Sequence, residues 1–154
     1  MTDEASFDSF YRIAYPKAIR LAWLISNDAS ISEDAVQEVL AEMVERFDRI
    51  DNPAGYLRTS LINNLRRRGR RAQRERSQLQ LLYPRSADLH SVDSIPELAH
   101  SIARLPRNQR IAIVCRYWED LPEADIAKIL RVRPATVRML VSRAMSRLRL
   151  EIEP

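Results

Sequence analysis

Glycine is almost missing from this chain. Only 2 of its 154 residues are glycine, Gly55 and Gly69, which excludes a collagen-like repeat and argues against a fold of many tight turns. Cysteine is limited to Cys115, so an internal disulfide and a two-thiolate metal site are both excluded. His90 and His100 stand apart, with no Cys, Asp or Glu at ligand-like spacing, and no metal is expected. No glycine-rich phosphate loop and no nucleophile triad can be assembled. Neither an enzymatic activity, a cofactor nor a small-molecule substrate is therefore expected. No apolar run is long enough to span a bilayer. Asp3, Glu4, Asp8, Arg12, Lys17 and Arg20 interrupt any leader-peptide core. A soluble cytoplasmic protein without membrane insertion is the expectation.

What is abundant is Leu, Ala, Arg and Glu, the composition of an all-α protein. Charge is segregated along it. Residues 1–52 carry a net charge of −6, residues 53–76 carry +7, residues 77–103 carry −2, and residues 104–154 carry +5. Two basic blocks around an acidic spacer suit two contacts with a polyanion. Solvated helix faces are the plainer alternative on charge alone.

Hydrophobic periodicity divides the chain into helical pieces. Phe7, Phe10, Tyr11, Ala14, Ala18, Leu21, Ala22 and Ile25 recur at helical spacing, with Pro16 expected to kink or split that helix. A second helix is expected from about 32 to 49, capped by Ser30 or Ser32, with Ser30 and Glu33 fitting a capping box. Val36, Val39, Leu40, Met43, Val44 and Phe47 form its apolar stripe. Asp34, Gln37, Glu38, Ala41 and Glu45 lie on another face, acidic and suited to a basic protein partner. Asn52-Pro53 reads as a cap and first-turn proline. Leu57, Leu61 and Leu65 then step along a buried stripe, with Arg58, Asn63, Arg66, Arg67 and Arg70 elsewhere. Seven arginines between 66 and 76 should fray an isolated helix, and Gly69 weakens it further. Residues 77–95 read as a linker, with Leu79, Leu81, Leu82, Tyr83 and Leu89 apolar enough to dock on something.

From Pro96 onward helical spacing returns. Leu98, Ile102 and Leu105 form a short stripe, and Pro106 opens a helix carrying Ile111, Val114, Cys115 and Trp118. Cys115, Trp23 and Trp118 read as core residues. A short helix from Pro122 to Leu130, a turn at Arg131-Val132-Arg133 and a helix from Pro134 to about Arg149 make a helix-turn-helix. Val137, Val141, Ala144 and Leu148 are its expected buried stripe. Ala135, Arg138, Met139, Ser142, Arg143 and Ser146 form the opposite face, able to enter a major groove. Arg147 and Arg149 suit phosphates.

These stretches resemble a family. LPRNQRIAIVCRYWEDLPEADIAKILRVRPATVRMLVSRAMSRLR, 105–149, resembles region 4 of extracytoplasmic-function (ECF) sigma factors of bacterial RNA polymerase. EDAVQEVLAEMVERF, 33–47, resembles their region 2.2, and NPAGYLRTSLINNLRRRGRR, 52–71, their regions 2.3 and 2.4. The resemblance implies two small helical domains joined by a linker. The first, 1–76, would bind core polymerase and the minus-ten element, 77–95 would link, and 96–154 would bind the minus-thirty-five element. It implies docking of Asp34, Gln37 and Glu38 on the beta-prime coiled coil. Tyr56, at a position where an aromatic is usual, would with Arg58 and Asn63 hold the melted minus-ten strand. Arg66, Arg67 and Arg70 would hold its backbone. Thr136, Arg138, Met139, Ser142, Arg143 and Arg147 would face the minus-thirty-five duplex. Core RNA polymerase (beta-prime coiled coil and beta flap), promoter DNA and an anti-sigma factor are the implied partners.

The chain departs from the family pattern in four places. Arg131 stands where the turn usually has glycine, which implies strain. Pro122 and Arg133 replace the usual serine caps. Met139-Leu140 replaces a polar pair, so either thymine methyls are contacted or Leu140 joins the core. Two other functions fit the same features: a helix-turn-helix regulator that delivers no polymerase, and a degenerate sigma factor acting as an interaction protein.

Overall fold

In the computed structural model of the protein, which describes residues 2–79 and 97–152, every regular element is helical. Helices α1 (Thr2–Ser26), α2 (Ala29–Arg46) and α3 (Pro53–Leu79) pack on one another, with a 3-10 turn at Phe47–Arg49. Helices α4 (Glu97–Ala103), α5 (Arg107–Ile113), α6 (Glu123–Leu130) and α7 (Pro134–Ile152) form a second unit centred on α7. Most of the linker expected at 77–95, with Leu81, Leu82, Tyr83, Leu89 and His90, lies outside the described residues, and 77–79 extend α3 instead.

Helix α1 runs continuously through Pro16 and is not split there. Proline removes a single hydrogen bond, and Pro16 is exposed, so water can satisfy the carbonyl one turn earlier. Ala18, Leu21, Ala22 and Ile25 are buried. Phe7 and Phe10 each bring their ring centroid within 5.4 Å of that of Phe47, holding the end of α2 against the start of α1.

The cap of α2 is Asp28, whose Oδ1 accepts from Ile31 N at 2.9 Å. Neither Ser30 nor Ser32 caps it. Ser32 is fully buried inside the helix, where its hydroxyl donates to Asp28 O at 2.7 Å and lies 2.9 Å from Ser26 Oγ. The aspartate wins because its side chain reaches the first free N–H groups while Ser32 already has helical geometry. Val36, Val39, Leu40 and Met43 are buried, but Val44 is 48% exposed.

Helix α3 begins where Asn52-Pro53 places it. Asn52 Oδ1 accepts from Gly55 N at 3.1 Å. A Cβ on Gly55 would stand 2.7 Å from Asn52 Nδ2, so this cap depends on the glycine. Leu57, Leu61 and Leu65 are buried as expected, joined by Ile62 and Asn64. The arginine run stays helical through Gly69. Arg68 is anchored on Asn64 Oδ1 at 2.6 Å and on the Glu38 carboxylate, which offsets part of the repulsion.

In the second unit Leu105 is buried and Ile102 half-buried, while Leu98 is exposed. Helix α5 continues as a π-helical turn, Val114–Trp118, closed by Glu119 N to Val114 O at 3.1 Å. The extra residue rotates the helix face, which takes Trp118 out of the expected core and leaves it 55% exposed. Trp23 is half-buried. The turn ends with Asp120 at φ 54° and with Leu121 N bonded to Cys115 O at 2.9 Å.

Cys115 is fully buried there. Burial, then the charge of Glu119, pushes its thiol up to about 12. The raised value adds stability that is present in full below the thiol's ordinary 9.0 and is lost as pH rises through about 12. Iodoacetamide at mildly alkaline pH should accordingly alkylate the folded protein at least about a hundredfold more slowly than the urea-denatured chain. Equal rates by mass spectrometry would contradict the burial.

Candidate nucleic-acid interface

The turn after α6 has the geometry that its sequence makes awkward. Arg131 sits at φ 57°, ψ 45°, and Val132 N closes on Ala127 O at 3.0 Å. This is the left-handed position where glycine is free of Cβ strain. Arg131→Gly is expected to raise stability by about 1 kcal/mol, read as a higher melting temperature. An unchanged or lower value would mean that the Arg131 side chain compensates for the strain.

Helix α6 buries Ile126, Ala127, Ile129 and Leu130. Helix α7 buries Val137, Ala144 and Leu148, with Val141, Leu140 and Met145 partly buried against the same core. Leu140 therefore packs inward, while Met139 is 42% exposed. Arg138, Ser142, Arg143 and Arg147 are exposed and Thr136 is half-buried. Arg138 Nε donates to Glu123 Oε2 at 2.8 Å, tying α7 to the start of α6. Both partners are open to solvent, so the pair contributes no more than about 1 kcal/mol and yields readily to another acceptor. Neither helix has a side-chain cap from the sites inspected by sequence: Pro122 offers none, and Arg133 serves through its carbonyl, which accepts from Thr136 N and Val137 N.

On α2, Asp34, Gln37 and Glu38 are all exposed. The three-and-four spacing puts them on one side of the helix. Gln37 Nε2 donates to the Tyr11 hydroxyl at 3.2 Å. Glu38 is bound by Arg68, and a hydrogen bond from Asn64, then that of Arg68, holds its carboxyl below the usual range. The stabilisation from this shift is present above the ordinary carboxylate pKa and is lost as pH falls through the lowered one.

The basic side of α3 is divided. Arg67 and Arg70 are exposed. Tyr56 and Asn63 are half-buried along an open cleft of about 1090 Å³, whose far wall includes Leu121, Asp125, Lys128, Ile129 and Arg131. Arg58 Nη1 stands 3.6 Å from Glu119 Oε2, and its Nε is buried without a hydrogen bond. Arg66 Nη1 donates to Ile129 O at 3.0 Å. Four of the residues named from sequence, Tyr56, Arg58, Asn63 and Arg66, thus already face the second unit or touch it.

Two further arginines cross between the units. Arg107 Nη1 donates to Arg66 O at 3.2 Å. Arg110 donates to Ile25 O at 2.7 Å, Ala103 O at 2.6 Å and Leu105 O at 3.0 Å. Sequence reasoning passed over both. The available signal was Arg110 itself, a cation between Gln109 and the buried run Ile111–Cys115.

Comparison with known proteins agrees with this arrangement. Residues 10–75 match the model for Sigma-70 region 2, and residues 96–148 match that for Sigma-70, region 4. The ECF RNA polymerase sigma factor SigM of Mycobacterium tuberculosis is 28% identical over 152 residues, 95% of this chain and 76% of that protein. The ECF RNA polymerase sigma factor RpoE of Cereibacter sphaeroides is 26% identical over 156 residues, 96% of this chain and 86% of that one. Among solved structures, the sigma factor RpoE in complex with the anti-sigma factor NepR from Bartonella quintana superposes with a TM-score of 0.75 at 24% identity, covering 97% of this chain and 99% of that one. CnrH in complex with the cytosolic domain of CnrY gives 0.66 at 18% identity, over 98% and 91%. At these identities the two structures speak for the fold. The two family models, in order along one chain and with relatives aligned over nearly all of it, place the protein in the ECF sigma factors, which bind core RNA polymerase and direct promoter-specific transcription initiation.

Proposed function

We propose that this sigma factor divides its work between residues 1–76, which bind core polymerase and the minus-ten element, and residues 96–154, which bind the minus-thirty-five element, with 77–95 as linker. The observation that carries the division is the opposite charge of two neighbouring helices. Helix α2 exposes Asp34, Gln37 and Glu38, a surface DNA would repel and a basic coiled coil would accept. Helix α3 exposes Arg67 and Arg70 beside Tyr56, Arg58, Asn63 and Arg66. Arginines hold phosphates, while Tyr56 and Asn63 supply a ring and an amide for an unpaired base. On α7, Thr136, Arg138, Met139, Ser142, Arg143 and Arg147 face the duplex. The inward packing of Leu140 leaves Met139 as the apolar group there, suited to a thymine methyl.

The protein acts in the cytoplasm, contributes no enzymatic activity of its own, and is held by an anti-sigma factor when not in use. Two observations bear on this: no described helix is long and apolar enough to cross a membrane, and the similar sigma factor RpoE of Bartonella quintana was solved in complex with the anti-sigma factor NepR.

Run-off transcription of fragmented genomic DNA by core enzyme plus this protein tests the reading: a discrete set of transcripts supports it and none refutes it. Holoenzyme carrying Arg67→Ala and Arg70→Ala tests the minus-ten surface. Its promoter affinity should depend less on salt, the slope of log K against log salt falling by roughly 0.7 per lost single-strand phosphate contact. An unaltered slope would remove both arginines from the DNA surface.

A further inference from the structure

We propose that Glu123 is a positioning residue for base recognition, holding Arg138 so that the free fork of its guanidinium meets a guanine in the minus-thirty-five duplex. The inference rests on the assignment of α7 to that duplex made above, and it separates Arg138 from the other arginines of the same face. Arg138 spends only its Nε on Glu123 Oε2, at 2.8 Å. Among the described residues neither of its Nη nitrogens has a hydrogen-bond partner, so the two stay free side by side. Guanine presents O6 and N7 side by side in the major groove, and two parallel N–H donors match them. Arg143 and Arg147 have no such anchor among the described residues. They are free to swing, which suits phosphates rather than base edges.

Glu123 is the fixed end of the pair. It stands in the first turn of α6, where the helix N-terminus favours a negative charge. It is half-buried, whereas Arg138 is exposed. Ile126, Ala127, Ile129 and Leu130 hold α6 itself in the core. Ordering the arginine before the duplex arrives removes part of the rotamer entropy that binding would otherwise cost. The pair is weak while water surrounds it. A duplex laid against α7 excludes that water, and the same contact then holds harder. Neither residue lines the cleft at the seam between the two units, so the arrangement belongs to the second unit alone. A carboxylate beside phosphates also repels them, so Glu123 lowers affinity for every sequence while raising selectivity among them.

The test is selection by reconstituted holoenzyme from a pool of randomised duplexes, with the bound fraction sequenced. The wild-type motif should contain a guanine whose preference Arg138→Ala removes. Glu123→Ala should lower the preference at that same position about tenfold, the discrimination carried by one bidentate contact, and spare the other positions. A role confined to tying α6 to α7 predicts a different result, weaker binding of all sequences with the pattern of preferences intact. That result overturns the proposal and leaves the duplex assignment standing, as does an undiminished guanine preference in Glu123→Ala. If Arg138→Ala removes no guanine preference, the assignment of Arg138 to base readout fails and the proposal with it. Folding is followed by circular dichroism. Should Glu123→Ala lose helicity, Glu123→Asp decides, since it keeps the charge at the start of α6 but draws the carboxylate back by one methylene. A lowered preference at the Arg138 position then supports the proposal, and an unchanged one overturns it.

Discussion

Asp34→Lys with Glu38→Lys is expected to abolish transcription by reconstituted holoenzyme while the protein remains helical. Both side chains are exposed on α2, so reversal buries no new charge. Against a basic partner, two like-charge juxtapositions cost several kcal/mol, equivalent to a loss of more than about a hundredfold in affinity for core polymerase. Glu38 also binds Arg68, and its reversal disturbs α3. Asp34→Lys alone separates the two effects, because it should carry much of the loss with the Arg68 pair intact. Core binding is read by fluorescence anisotropy and folding by circular dichroism. Wild-type affinity in the folded double variant would move the docking surface off α2.

Leu61→Ala should destabilise the protein by about 2–5 kcal/mol, a large share of the total for a domain of this size. Leu61 is fully buried within the first unit, so truncation removes both its transfer free energy and its packing contacts. Val44→Ala provides the contrast. It belongs to the same kind of apolar stripe in the sequence, yet Val44 is 48% exposed, and its truncation should change stability by no more than about 0.5 kcal/mol. Urea titrations of the two variants measure both. Equal losses would mean that Val44 is covered in solution.

The contrast between these two residues marks what the sequence could disclose. Local chemistry was readable: Asn52-Pro53 caps α3, Pro134 opens α7, and Arg131 occupies the turn position that wants glycine. Each depends on a few adjacent residues. Where several neighbours competed, the outcome was not readable, and Asp28 took the cap offered to Ser30 and Ser32. The π turn defeated a reading based on a period of 3.6, since one added residue redirected Trp118 toward solvent. The charge pattern located the acidic and basic surfaces. It said nothing of the seam, because Arg58 and Arg66 meet groups more than sixty residues away in the chain, a distance that no periodicity spans.

That seam distributes mutational risk unevenly. Five of its polar links end on backbone oxygens, those of Ile25, Arg66 and Ile129 across the units and of Ala103 and Leu105 beside them. A backbone oxygen survives any side-chain exchange. Ile25, Leu105 and Ile129 can thus drift among apolar residues of similar size without touching the polar link, whereas Arg66, Arg107 and Arg110 supply their donors from irreplaceable forks. A saturation scan should therefore find tolerance on the accepting side and intolerance at three arginines, lysine included. Two such proteins could diverge widely around the seam and still be joined by the same three residues.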